Sequence, residues 1–207
     1  MKINDSSQNC PFCSGQGISD RMVYEEESIY VVSDLHPVTL GHLLVITKEH
    51  HLSFGELDTQ SLIRIKSTIN WLARILCCFG SNVIVFEHGN KTQNTSGNLS
   101  VDHAHLHLIP VPSLESRLPG KKANADFLNL ADYVKSASYY FYWDVLGNSA
   151  YWGNTANIES QFIRKETVFE IGKDKWDWKS NQGVSSSKEA VEQSLIVRQM
   201  LERSHRS

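Results

Sequence analysis

No stretch of this 207-residue chain approaches the roughly 20 consecutive apolar residues that a membrane-spanning helix needs. The first twenty residues also lack the apolar segment of a secretory leader, so neither membrane insertion nor export is expected. Cysteine is scarce: four residues, two of them three apart (Cys10, Cys13) and two adjacent (Cys77, Cys78), do not make a disulfide scaffold. That usage fits a reducing, cytoplasmic compartment. Basic charge is not in excess, because 20 Lys and Arg against 23 Asp and Glu leave a net charge of −3. A protein that coats DNA or RNA draws its affinity from many phosphate contacts, and stable nucleic-acid binding is not expected here. Internal repeats and low-complexity blocks are missing as well. What remains, at 41% hydrophobic residues, is a chain able to bury a core: a globular α+β protein.

Histidine is what the sequence has in quantity. Of its nine, three fall within five residues (His103, His105, His107) and three more lie close together (His42, His50, His51). Around them the pattern predicts strands over 29–34 and 43–47, joined through the turn-forming Asp34-Leu35-His36-Pro37 and Thr39-Leu40-Gly41. Leu62, Ile65, Ile69, Leu72 and Leu76 recur every three or four residues and predict a helix over 56–78. Ser53 and Glu56 read as its capping box and Gly80 as its stop, with Cys77 and Cys78 buried near its end. Strands are expected over 82–87 and 100–110, separated by a loop of Gly, Asn, Ser and Thr. Further on, helices are expected over 122–136, 160–171 and 187–203, with aromatic strands at 139–145 and 151–152.

His103-Ala104-His105-Leu106-His107-Leu108-Ile109 carries the chemistry. On a strand, alternate side chains share a face, so the three imidazoles project together while Ala104, Leu106 and Leu108 enter the core. Packing does not require three imidazoles in a row. Metal ligation, acid–base work and nucleophilic attack all suit them, and spacing does not separate these roles. The preceding loop, with Gly97 and Ser100, can offer backbone N–H groups and hydroxyls to phosphate oxygens. For Ser100 to reach the histidine face, a bend is needed where the strand begins. Cys10-x-x-Cys13 by itself is half a zinc site, a redox pair or coincidence.

The run His-φ-His-φ-His-φ-φ (φ apolar) is the histidine-triad signature, and Asp34, Gly41-His42-Leu43-Leu44-Val45-Ile46 and Lys48-Glu49-His50 precede it in that family's order. The chain therefore resembles a histidine-triad (HIT) nucleotide hydrolase or nucleotidyltransferase. The likeness covers residues 10–110, with a catalytic domain over 1–112. Residues 113–207 resemble a C-terminal extension of some bacterial-type members, marked by Gln161-Phe162-Ile163-Arg164 and Trp176-Asp177-Trp178. The resemblance implies an antiparallel sheet of five or six strands with the long helix packed on it, an α/β elaboration behind, and a homodimer. It implies a nucleotide substrate: a dinucleoside polyphosphate, a nucleotide sugar or a phosphoramidate.

By the same matching His105 is the nucleophile toward the α-phosphorus, while His107 and His42 stabilise the phosphate or leaving group. Ser100 contacts phosphate or leaving group, and Asp34 holds the ribose hydroxyls, although an Asp before a turn is also an ordinary turn former. Cys10, Cys13, His50 and His103 would close one structural zinc site per chain, His51 being the competing ligand. One position departs. Where many members carry an asparagine two residues ahead of a glycine, this chain has Glu87-His88-Gly89. A carboxylate repels a polyanionic nucleotide, so either Glu87 faces away or leaving-group recognition differs, and His88 becomes a candidate for the site. In the extension, the aromatic cluster from Tyr139 to Trp152 reads as core or as a cleft wall, and Arg164 with Lys165 as a distal-phosphate site. A catalytically silent nucleotide-binding module and a hydrolase whose triad binds metal are the competing readings.

Overall fold

A computed structural model describes residues 10–15, 17–90, 92, 101–156, 158–159, 161–174 and 187–204. Eight strands form one antiparallel sheet in the order β1-β2-β3-β5-β4-β7-β8-β6. They are β1 (Met22–Glu25), β2 (Ile29–Ser33), β3 (Leu43–Thr47), β4 (Ile84–Gly89), β5 (His105–Ile109), β6 (Lys122–Ala123), β7 (Tyr139–Asp144) and β8 (Ser149–Asn154). The helices are α1 (Thr59–Leu76), α2 (Leu130–Ser136), α3 (Phe162–Glu170) and α4 (Ser187–Ser204). The fold is α+β, as expected, but the sheet is larger than five or six strands. β7 hydrogen-bonds directly to β4, and β8 and β6 follow it, so the extension continues the same sheet. Among the described residues no helix is long and apolar enough to cross a membrane.

The apolar stripe of α1 forms as its spacing predicts, burying Leu62, Ile65, Ile69, Leu72 and Leu76. They pack against the sheet residues that alternate toward them, among them Val45, Val85, Leu106, Leu108 and Phe141. The boundary chemistry differs from the sequence reading. Asp58, not Ser53, caps α1 by accepting from the Ser61 N–H at 3.0 Å, while Ser53 caps a separate 3-10 turn by accepting from Gly55 N. Glu56 still reaches back, its carboxylate accepting from Leu52 N at 2.9 Å. Gly80 is in extended backbone rather than a left-handed stop; a Cβ there would lie 2.7 Å from the Pro110 carbonyl. Cys77 is half-buried and Cys78 exposed, because the helix tightens into a 3-10 turn that swings both toward the surface. The helix expected over 122–136 is shorter, since residues 122–123 pair with β8 instead.

Opposite α1 the sheet face is covered in two patches. Ile18, Val32, Leu44 and Ile46 make one. In the other, α3 lays Ile163 and Val168 on Ile84, Phe86, Ile109, Tyr140 and Tyr142. The aromatic run thus divides by strand alternation: Tyr139, Phe141 and Trp143 face α1, whereas Tyr140 and Tyr142 face α3. The triad strand β5, held between β3 and β4, shows its histidines on this second face, between the two patches.

Alternation also settles Glu87. Phe86 and His88 face the histidines, so Glu87 turns to the α1 side, where it is 1% exposed. Its carboxyl accepts from Phe54 N at 2.7 Å and from the Tyr139 hydroxyl at 2.5 Å, and that hydroxyl lies 2.9 Å from Ser53 Oγ. The network ties β4, β7 and the turn before α1 together. Burial pushes the Glu87 carboxyl up to about 7 against the opposing pull of the Tyr139 and Phe54 bonds. A folded-state value above the unfolded one means the stabilising neutral form is complete at low pH and lost as pH rises through about 7. Calorimetry from about pH 5 to about pH 8 is expected to show wild-type melting temperature falling relative to Glu87→Gln. Parallel curves for the two proteins contradict this account.

Candidate active site and metal cluster

The turn between β2 and β3 closes on Gly41, whose φ is +82° and whose Cβ would meet Phe79 at 2.9 Å. Only glycine fits a left-handed position under that ring, and the next residue, His42, is delivered into the sheet fully buried. Strand pairing then sets His107 opposite Leu44 and Phe86, and His105 opposite Ile46. The Phe86 ring lies flat on His107, with centroids 4.5 Å apart and planes 9° from parallel.

Hydrogen-bond partners fix the tautomers. Nδ1 of His105 lies 2.7 Å from the His103 carbonyl oxygen. A carbonyl only accepts, so Nδ1 carries the proton and Nε2 keeps its lone pair. Burial draws the His105 pKa down against the lift of that carbonyl, and the ring stays neutral near physiological pH. Val38 N–H donates to Nδ1 of His42 at 3.2 Å, which places the His42 proton on Nε2. Nε2 in turn lies 3.0 Å from Nδ1 of His107 and donates to it. His107 therefore carries its proton on Nε2. One ring offers a lone pair and its neighbour an N–H, from adjacent positions on one strand face.

Asp34 lies beside this pair. One carboxylate oxygen accepts from His36 N at 2.7 Å, the turn-forming role. The other is 3.6 Å from His42 Nε2 and 3.9 Å from His107 Nδ1. Burial alone would raise the Asp34 pKa, but His42, Arg164, the His36 amide and Arg21 outweigh it and hold the carboxyl ionised. His42 is driven down to about 4 by burial, opposed by Asp34 and reinforced by Arg164. Arg164 comes from α3: its guanidinium is buried, 3.8 Å from Asp34, and donates to the His36 carbonyl. Lys173, just past α3, donates to the Val38 carbonyl at 2.7 Å. The extension thus clamps the turn that carries Asp34 and His42. Lys165 pairs with Glu159 at the surface.

Cys10, Cys13, His50 and His103 meet in a second cluster, their ligand atoms all within 4.8 Å of one another. Nδ1 of His103 is 3.3 Å from Cys10 Sγ and 3.5 Å from Cys13 Sγ, and Nδ1 of His50 is 3.1 Å from Cys13 Sγ. Bonds of about 2.3 Å to sulfur and about 2.0 Å to nitrogen in a tetrahedron put S···N edges at roughly 3.5 Å, so the donor set fits zinc. His103 Nε2 donates to the Thr47 carbonyl at 2.7 Å, which leaves Nδ1 free to ligate. His51 turns away toward Glu56 and Glu49. Between the cysteines, the Phe12 ring stands edge-on to both His103 and His105 at 5.5 Å.

Of the sequence candidates, His42, His105, His107, Asp34, His88 and Arg164 converge on one face, and the thiol–imidazole four on its flank. Ser100, Gly97 and Trp176-Asp177-Trp178 lie outside the described residues. Phe12, Phe86 and Arg21 were not foreseen. Phe12 had a signal in its place inside the dithiol motif, whereas the other two depend on strand partners that only the fold reveals.

The family model for the HIT domain matches residues 16–113. An uncharacterised HIT-like protein of Methanocaldococcus jannaschii is 32% identical over 108 residues, covering 49% of this chain and 78% of that protein. The chain belongs to the HIT family. An adenosine 5′-monophosphoramidase of Candida albicans is 30% identical over 111 residues, covering 51% of this chain and 72% of that protein. A zinc-bound histidine triad family protein from Mycobacterium smegmatis aligns with a TM-score of 0.42 at 20% identity, over 63% of this chain and 93% of that one.

Heteronuclear NMR of the imidazole nitrogens near neutral pH is expected to show His105 protonated on Nδ1 and His42 on Nε2. A His105 protonated on Nε2 would remove the lone pair from the open side and break this assignment.

Proposed function

We propose that this HIT protein is a nucleotide hydrolase or nucleotidyltransferase that works at the α-phosphate through a covalent nucleotidyl-His105. The observation that carries the reading is the bond from His105 Nδ1 to the His103 carbonyl, which aims a neutral Nε2 lone pair away from the backbone. Nε2 attacks the α-phosphorus, an N–P bond forms, and the bond to the leaving group breaks as that group departs, taking a proton from solvent; the proton that the attacking water or acceptor later loses returns there. Water, or another acceptor, then attacks phosphorus and gives up its proton. The N–P bond breaks, and the nucleoside monophosphate leaves or is transferred. The His107 N–H, held by His42, stabilises charge on the phosphate oxygens, which is greatest in the transition state. Asp34 receives the ribose hydroxyls, and Arg164 brings positive charge for a phosphate-rich substrate. The similarity to an adenosine 5′-monophosphoramidase supports a nucleoside phosphoramidate among the substrates.

Cys10, Cys13, His50 and His103 would hold zinc through four protein ligands, leaving no open position, so the ion would be structural and pin the N-terminal loop. Thiol ligands need reducing conditions, which supports a cytoplasmic setting. A homodimer, if formed by sheet continuation, cannot use β4, since β5 and β7 take both its sides. The alternative of a triad-bound catalytic metal draws on Asp34, His42 and His107, whose ligand atoms also lie within 4.8 Å of one another. The Arg164 cation 3.8 Å from Asp34 and the His42–His107 hydrogen bond weigh against it.

Mixing the protein with a nucleoside phosphoramidate, quenching, and weighing it by mass spectrometry is expected to reveal a nucleotidyl adduct on His105. His105→Ala is expected to lose at least about 1,000-fold in turnover while keeping its metal. Metal lost together with turnover would favour the metallohydrolase, and no adduct with any nucleotide substrate would leave a binding module. Elemental analysis is expected to give one zinc per chain, lost in Cys13→Ser with a lower melting temperature. Zinc retained by that variant would refute the four-ligand site.

A further inference from the structure

Beside the triad strand, on β4, stands an imidazole that no hydrogen bond among the described residues uses. β4 pairs with β5 through Ile84 opposite Ile109 and Phe86 opposite His107, so the next residue on that face, His88, falls alongside His105. Phe86 turns a ring edge to His88, with centroids 6.1 Å apart, while lying flat on His107. On its other side His88 faces Tyr140 of β7, whose hydroxyl is already committed to the Pro119 carbonyl. Nε2 of His88 is buried and has no hydrogen-bond partner among the described residues. Every other histidine on this face has a use: His42 and His107 bond each other, and His105 is held by a carbonyl. Folded chains rarely leave a buried N–H or lone pair without a partner, and a catalytic or binding role is one of the explanations for such a group.

We infer that His88 is a fourth active-site imidazole, which hydrogen-bonds a non-bridging oxygen of the substrate's α-phosphate from the neighbouring strand, while His107 reaches another from along β5. This deepens the function proposed above and rests on it. A phosphorus bonded to His105 Nε2 carries oxygens that spread toward the neighbouring positions, one along the strand at His107 and one across it at His88. Burial first, and then the charge of a protonated His105, press the His88 pKa down to about 4. His88 therefore acts near neutrality as a neutral donor and adds no charge beside the nucleophile. Glu87 serves this arrangement from behind: its bonds to Phe54 and Tyr139 fix the end of β4, and with it the direction of His88.

The test compares the wild type with His88→Phe, which fills the space without an N–H, and His88→Asn, which keeps a donor on a shorter arm. Rapid-quench mass spectrometry with a nucleoside phosphoramidate reads the rate of adduct formation on His105. AMP titration reads phosphate recognition without chemistry, and melting curves confirm that each variant is folded. His88→Phe is expected to form the adduct about 100-fold more slowly, with His88→Asn recovering at least about tenfold of that loss. AMP is expected to bind His88→Phe about tenfold more weakly. Adduct formation by folded His88→Phe within about threefold of wild type would overturn the inference, as would equal loss in both variants. Should the wild type form no adduct at all, the function proposed above fails separately, and unchanged AMP affinity in His88→Phe would then dispose of the His88 contact as well.

Discussion

The site depends on one hydrogen bond, from Nδ1 of His105 to the carbonyl of His103 two residues earlier. It makes a backbone oxygen decide which nitrogen of His105, the proposed nucleophile, carries a proton. That oxygen is fixed because His103 is itself fixed, its ring 2% exposed, with Nε2 on the Thr47 carbonyl and Nδ1 among the thiols. The dithiol cluster and His105 are thus mechanically continuous, with the Phe12 ring edge-on to both His103 and His105. A zinc ion held by these four ligands would contribute by keeping the His103 carbonyl in place.

The second organising constraint is the polarity of the chain from Val38 N–H through His42 to His107. Each group can donate in only one direction, so a main-chain amide in a turn orients a donor two side chains away. The C-terminal extension has a stake in that turn. Arg164 and Lys173 hold the His36 and Val38 carbonyls, and α3 packs over Phe86, which supports His107. Through β7 the extension also completes the sheet beside β4 and supplies Tyr139 to Glu87. The part of the chain that lies outside the HIT-domain match is therefore built into the site's support.

Where sequence reading went astray, a local signal lost to a stronger local one or to a partner from far along the chain. Ser53 and Glu56 have the spacing of a capping box, yet Asp58 lies nearer the first full turn of α1 and takes the cap. Gly80 follows a helix, as a stop should, but its missing Cβ makes room for the Pro110 carbonyl of a distant strand. Residues 122–123 were expected to be helical and are drawn into β6 by an unpaired edge of β8. That Arg164 lies beside Asp34 was not readable from the sequence, because the two are brought together only when α3 packs on the sheet.

The sequence by itself determined the family, the helix stripe, the alternation of β5 and the grouping of thiols and imidazoles. Periodicity and short-range spacing are written along the chain and need no partner to be read. Tertiary structure decided which way Glu87 and His88 face, which nitrogen of His42, His103, His105 and His107 holds its proton, and that the extension shares the triad's sheet. Those depend on strand pairing and on carbonyls brought from far along the chain, and a hydrogen bond's direction is known only once both of its ends are in place.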